Sequence, residues 1–198
     1  NNRIKGKDNL KCAVNVAPIY GETWPVQNPQ KYNHYMREVT HQLFSYYKEN
    51  KKVKYIFYDT SYPTDCEASK TIIANLLDLG FPEEQIEYDE RLHTPSEICS
   101  ILSKVNIALT TRLHAGILAL RMGKPLLAIK YQPKVSTVLH AVGFDNKCIL
   151  ELENLQIIKS KLKELENNKV PALPLKKLKK LDKQNYQITK SILEDITS

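Results

Sequence analysis

Residues 106–120 read NIALTTRLHAGILAL. The first half is a short run of the kind that fills a buried strand, and the second half is apolar around nearly the whole circumference of a helix, with almost nothing between them. The next run, PLLAIKY at 125–131, is again of strand type and follows the helix stop Gly123-Lys124-Pro125. Strand, helix, strand within 26 residues is one βαβ unit, because parallel neighbours need a crossover rather than a tight turn. The same rhythm extends outward. CAVNVA (12–17) precedes a helix near 30–49 that aligns Met36, Val39, Leu43 and Tyr46 on one face. VKYIFY (53–58) precedes a helix near 65–79, halted by Gly80 and Pro82. QIEY (85–88) leads to a helix over 95–104, the helix of the opening stretch covers 112–122, and a short one near 134–141 leads to KCIL (147–150). A helix near 154–166 follows, carrying Leu155, Ile158, Leu162 and Leu165 in register. Six strands alternating with helices predict an α/β fold: a Rossmann-like parallel sheet with helices on both faces.

Composition restricts the class further. A chain of 198 residues, 42% hydrophobic and 26% charged, is ordinary for one globular domain. No apolar run approaches the roughly 18–20 residues of a membrane span, and the basic start NNRIKGKDNLK is not followed by a signal-peptide core. The reading is a soluble, cytoplasmic chain, one that can work at the inner membrane surface. Residues 1–11 read as a linker, and their polar character without an initiating Met suggests a piece of a longer protein. Cys12, Cys66, Cys99 and Cys148 stand far apart and read as reduced thiols, and the five His form no metal-ligand pattern. Of the formal net charge of +7, residues 159–198 carry +5, from ten Lys and five acids. Within them, beyond Pro171 and Pro174, 171–198 reads as a Lys-rich amphipathic helix with a solvated face, which argues against nucleic acid as the partner.

In such a sheet ligands bind outside the carboxyl ends of the strands, so the loops to search are PIYGETWPVQN, DTSYPTD, DERLHTP, TTRLHAG and YQPKV. No G-x-G-x-x-G and no Walker loop occurs, so neither a dinucleotide nor a P-loop nucleotide is indicated. The tripeptide RLH appears in two of these loops. At 91–93 it precedes TPSE, in which Thr94, Pro95 and Glu97 form a capping box, so that copy reads as loop ahead of a self-capped helix. At 112–114 it sits at the strand-to-helix turn, where free amides and the positive end of the helix dipole form an anion site. Arg112 adds a planar fork for carboxylate or phosphate, and His114 an imidazole that titrates near neutrality. Ala115 and Gly116 permit close helix approach. A cation at a helix start is locally unfavourable without an anion or an acid beside it. Either a ligand or a core carboxylate can be that partner, and the residues alone leave both open. One strand later, Tyr131 ends a strand and Lys134 opens the next helix, a second cation on the same edge; Lys130, inside the strand, reads as snorkelling or salt-bridged. Asp65 reads as the N-cap of a helix beginning at Cys66, or as a contact to a second substrate.

The block TRLHAGILALRMGKPLLAIKYQPKV, with VGF after it, resembles the polysaccharide pyruvyl transferase family, and a weaker likeness extends over 12–150. The resemblance implies a glycosyltransferase-B-like architecture of which residues 12–170 form the C-terminal lobe, with 1–11 leading from a missing N-terminal lobe. It implies transfer of pyruvate from phosphoenolpyruvate onto a sugar, or lipid-linked glycan, of a cell-surface polysaccharide as a ketal, with no cofactor. The family's Arg-Leu-His element is tied to the phosphoenolpyruvate site and matches Arg112, Leu113 and His114. Arg112, Leu113, Lys134 and Tyr131 are thus expected at the donor, His114 as general acid/base, and Asp65 near the acceptor. Two other readings stand beside it: a nucleotide-sugar-dependent glycosyltransferase using the same cleft, and a non-catalytic glycan- or anion-binding module contacting its ligand through the Lys-rich tail.

Overall fold

The computed structural model describes residues 10–141 and 143–167. The expected helix at 171–198 and the start of the expected linker lie outside the described residues.

The strands are β1 (Lys11–Asn15), β2 (Lys54–Phe57), β3 (Ile86–Tyr88), β4 (Ile107–Thr110), β5 (Leu126–Lys130) and β6 (Ile149–Glu151). Between and after them run α1 (Pro29–Glu49), α2 (Thr64–Asp78), α3 (Pro95–Ser103), α4 (Leu113–Arg121), α5 (Pro133–Ala141) and α6 (Ile158–Asn167). All pairings are parallel and the strand order is β3-β2-β1-β4-β5-β6. β1 begins one residue earlier than CAVNVA implies, and Leu10 ahead of it is already in the core.

Strands buried on both faces explain the continuous apolar runs. In β1, Cys12 and Val14 face α1, α2 and α6, whereas Ala13 faces α3, α4 and α5. The helices end where the sequence puts breakers: Gly80 and Gly123 take φ +85° and +67°, backbone that L side chains resist. Asn28 caps α1 by accepting the Lys31 amide at 3.0 Å, with Pro29 as the first helical residue. Lys130 pairs with Glu151 at 2.8 Å, the salt-bridged role expected of a charge inside a strand.

The topology fixes where function belongs. The chain builds outward from β1 to β3, then crosses back to lay β4 on the other side of β1. Connections leave β1 and β4 in opposite directions, opening a crevice at their carboxyl ends. Asn15 and Thr110 stand at that crevice.

Candidate functional site

Asn15 is a polar residue, itself buried, at the end of a strand buried from Cys12 onward, and it holds the crevice together. Its Nδ2 donates to the Tyr58 carbonyl at 3.0 Å and its Oδ1 accepts the Arg112 amide at 3.3 Å, tying β1 to the end of β2 and to the start of α4. Thr111 Oγ1 accepts the Ala17 amide at 2.7 Å, which fixes the beginning of the loop 16–28 against the same turn.

Arg112 is the N-cap residue of α4 and offers no side-chain cap. The first intrahelical bond joins Gly116 N to Arg112 O at 3.1 Å, so the amides of the first turn, Leu113 to Ala115, face out of the helix start. Gly116 has a steric reason: a Cβ there would lie 3.3 Å from Thr110 Oγ1 and 3.4 Å from Leu126. α4 therefore approaches the sheet as closely as its small residues predict.

The guanidinium has found an acid. Nε and Nη2 of Arg112 both donate to Asp65 Oδ1, at 2.9 and 2.6 Å, and Asp65 is wholly buried. Asp65 Oδ2 accepts the amides of Thr60 and Ser61 at 3.2 and 3.0 Å. This corrects the capping role expected for Asp65. α2 begins at Thr64 behind Pro63, so Asp65 is inside the first turn and is not its N-cap. Its carboxylate is turned inward and accepts from Arg112, from the Thr60 hydroxyl and from two amides. Of the two partners open to Arg112, the core carboxylate is present, and it engages one edge of the fork. The Arg112 side chain keeps 20% of its exposure, and Nη1 makes no hydrogen bond among the described residues.

A second contact on Arg112 had no sequence signal beyond its place in a loop marked for searching. Trp24, the chain's one tryptophan, lies with its ring centroid 5.2 Å from Arg112 Cζ. The edge-to-face partner of Trp24 is Tyr131, at 5.2 Å and 77°. Trp24 thus bridges the corner that starts α4 and the corner that leads into α5. The loop carrying it is closed on itself, with the Asn28 amide donating to Tyr20 O at 2.9 Å and the Trp24 amide to Gly21 O at 3.0 Å.

His114 is exposed on the second residue of α4, and Lys134 is exposed on the second residue of α5. Their helices follow adjacent strands, about 4.8 Å apart. Leu113 is half-buried and packs on the core between α3 and α4. Among the described residues no group of three or more His, Cys, Asp or Glu is placed to hold a metal ion, and no helix is long and apolar enough to cross a membrane.

The first RLH copy is built otherwise. The capping box is complete: Thr94 Oγ1 accepts the Glu97 amide at 3.3 Å, and Glu97 Oε2 accepts the Thr94 amide at 2.8 Å. Thr94 and Arg91 hold the Glu97 carboxyl at about 2, well below its usual range. Arg91 is exposed and pairs with Asp89 and Glu97, both at 2.8 Å. His93 lies in the loop ahead of α3, as the sequence implies, and it is buried there.

The family model for polysaccharide pyruvyl transferase matches residues 14–133, which run from the end of β1 through β5 and include the Arg112 corner. No curated protein sequence matches the chain. Among solved structures, UDP-GlcNAc 2-epimerase from Methanocaldococcus jannaschii superposes with a TM-score of 0.55 at 13% identity, over 90% of this chain and 45% of that one. Trehalose 6-phosphate synthase from Burkholderia multivorans gives 0.57 at 9% identity, over 96% and 43%. At such identities the likeness is one of fold: the sheet is a Rossmann-like lobe of the glycosyltransferase-B type. The chain spans less than half the length of either protein.

Proposed function

This chain belongs to the polysaccharide pyruvyl transferase family, and on that premise we propose that it is the C-terminal lobe that holds phosphoenolpyruvate while pyruvate is transferred to a sugar of a cell-surface polysaccharide. The observation that carries the reading is the α4 corner, with uncapped amides and a guanidinium that Asp65 and Trp24 hold in place. Phosphoenolpyruvate has two anionic groups. The amides of α4 with the free edge of Arg112 suit one, and Lys134 at the start of α5 suits the other. Because Asp65 occupies one edge of the fork, the ligand meets Arg112 through Nη1 and the helix amides rather than through a second full fork.

In the reaction the methylene carbon takes a proton and becomes a methyl group, and C2 turns electrophilic. Two sugar hydroxyls bond to C2 as the bond from C2 to the phosphate oxygen breaks. One hydroxyl proton balances the methyl group and the other leaves with phosphate. His114, exposed in the first turn of α4, is the side chain we assign to pass these protons. A second lobe facing this edge supplies the contacts to the sugar that receives pyruvate.

The experiment is phosphoenolpyruvate-dependent phosphate release with a sugar-lipid acceptor by the full-length protein. His114→Ala is expected to lower kcat by about a hundredfold or more, and Lys134→Ala to raise KM chiefly; both residues are exposed, so folding is preserved. Full activity in both variants would defeat the assignment. Thermal stabilisation by a UDP- or GDP-sugar and not by phosphoenolpyruvate would transfer the site to a nucleotide-sugar glycosyltransferase.

A further inference from the structure

The first RLH copy, which the proposed transfer does not use, borders a groove of about 540 Å³ between β3 and α3. His93 lines this groove with 5% of its surface exposed, and neither ring nitrogen makes a hydrogen bond. Nε2 lies 3.4 Å from Asp89 Oδ2, which Arg91 already engages. A buried imidazole left in this state costs free energy that a hydrogen-bonding partner would recover.

The walls say what kind of partner fits. Ile56, Ile86 and Ile101 give an apolar side, and Glu87, Asp89 and Ser100 a polar one. Three acids stand around the groove against Arg91 and against Lys54, which pairs with Glu87, so the balance stays negative and a phosphate or carboxylate is repelled. Asp89 meets Arg91 through Oδ2 alone, which leaves Oδ1 to accept from a further donor. Surplus acceptors beside an apolar face, with an imidazole and a hydroxyl that can donate or accept, match a ring carrying hydroxyls on its rim and C–H groups on its face. The groove lies three strands from β4, about 14 Å along the edge at the usual strand spacing. An oligosaccharide spans that distance and a single sugar does not.

We infer that the β3–α3 groove is a neutral saccharide subsite, holding an acceptor sugar remote from the one that receives pyruvate. Its place in the reaction rests on the transfer proposed above, whereas its chemistry rests on His93 and the acidic wall alone.

The test is a titration of the isotope-labelled full chain with lactose, cellobiose and maltose, followed by amide spectra, and separately with inorganic phosphate. The saccharides are expected to move amides within 86–101 and phosphate those of 112–116. Ser100→Trp, at an exposed helical position on the groove rim, is expected to raise the saccharide dissociation constant at least tenfold and leave the phosphate response unchanged. His93→Phe, which fills the ring's space without its nitrogens, is expected to weaken saccharide binding in the same sense. No saccharide response in 86–101, or equal saccharide binding by Ser100→Trp, overturns the subsite while the phosphate response stands. Saccharide binding with no phosphate response removes the donor reading instead and keeps the subsite.

Discussion

The two Arg-Leu-His segments have opposite burial. At 91–93 the histidine is buried and the arginine side chain is 48% exposed; at 112–114 the arginine side chain is 20% exposed and the histidine faces solvent. Their partners differ in range as well. Arg91 pairs with Asp89 and Glu97 in its own loop and helix, whereas Arg112 reaches Asp65, 47 positions away. A local pair can re-form around any conformation of its loop, but a pair that joins two loops of the sheet's edge exists only when the fold does. The second arginine is therefore part of the structure that presents it, while the first is a surface contact.

The sharpest way to break this comparison is to remove each arginine. Arg112→Ala leaves a wholly buried Asp65 carboxylate without its cation, and about 3–5 kcal/mol of stability should be lost. Arg91→Ala should leave the urea midpoint close to that of the parent, because exposed pairs contribute little. Equal midpoints for the two variants would sink the distinction. Activity lost in Arg112→Ala is then ambiguous by itself, since the same change loosens the fold. Replacing the pair together, as Asp65→Leu with Arg112→Met, removes the uncompensated charge; it should recover most of the stability and still bind no phosphate.

Trp24 gives the next largest effect. Its contact with the guanidinium and the Tyr131 edge together should be worth about 1–2 kcal/mol. Trp24→Ala should lose that much in a urea titration and weaken phosphate binding, and Trp24→Phe should restore most of both. Because it is the only tryptophan, its fluorescence in the parent chain should change when phosphate reaches Arg112. A silent tryptophan during a phosphate titration followed by amide shifts would place the anion elsewhere.

The alternation of β and α was legible because each element carries its own period: NIALT and PLLAIKY announce buried strands, and Gly80 and Gly123 announce helix ends. The place of Arg112 at a strand-to-helix turn was legible for the same local reason, as a cation on the helix start after a strand. What could not be read was which residues the sheet brings to that corner. Asp65 precedes a helical run and looks like a cap for it, yet Pro63 starts the helix earlier and the carboxylate turns inward. Asn15 did leave a trace, as the one polar residue in CAVNVA, and its partners come from the ends of β2 and β4. His93 left none. The capping box that accounts for Thr94 and Glu97 says nothing about the residue before it, whose ring is buried by the edge strand and α3.

The smallest effect concerns the helix starts that follow the two segments. α3 closes its own amides, with the Thr94 side chain on one and Glu97 on another; α4 leaves its own amides open. Thr94→Ala should cost about 1 kcal/mol, with no change in phosphate binding. The Glu97 carboxyl is held at about 2 against a usual 4.5, first by the Thr94 amide and then by the Thr94 hydroxyl and Arg91. A carboxylate whose folded value is depressed stabilises fully above its unfolded value, and the contribution disappears as pH falls toward the folded one. The stability gap between the parent and Glu97→Gln should therefore be constant above about pH 4.5, shrink as acid is added, and close near pH 2. Arg112 at the head of α4 has no such acid in the first turn, so no substitution in that turn should reproduce this profile. A gap independent of pH would mean that Glu97 contributes through packing and not through its charge, and the self-capped start of α3 would then differ from that of α4 only in shape.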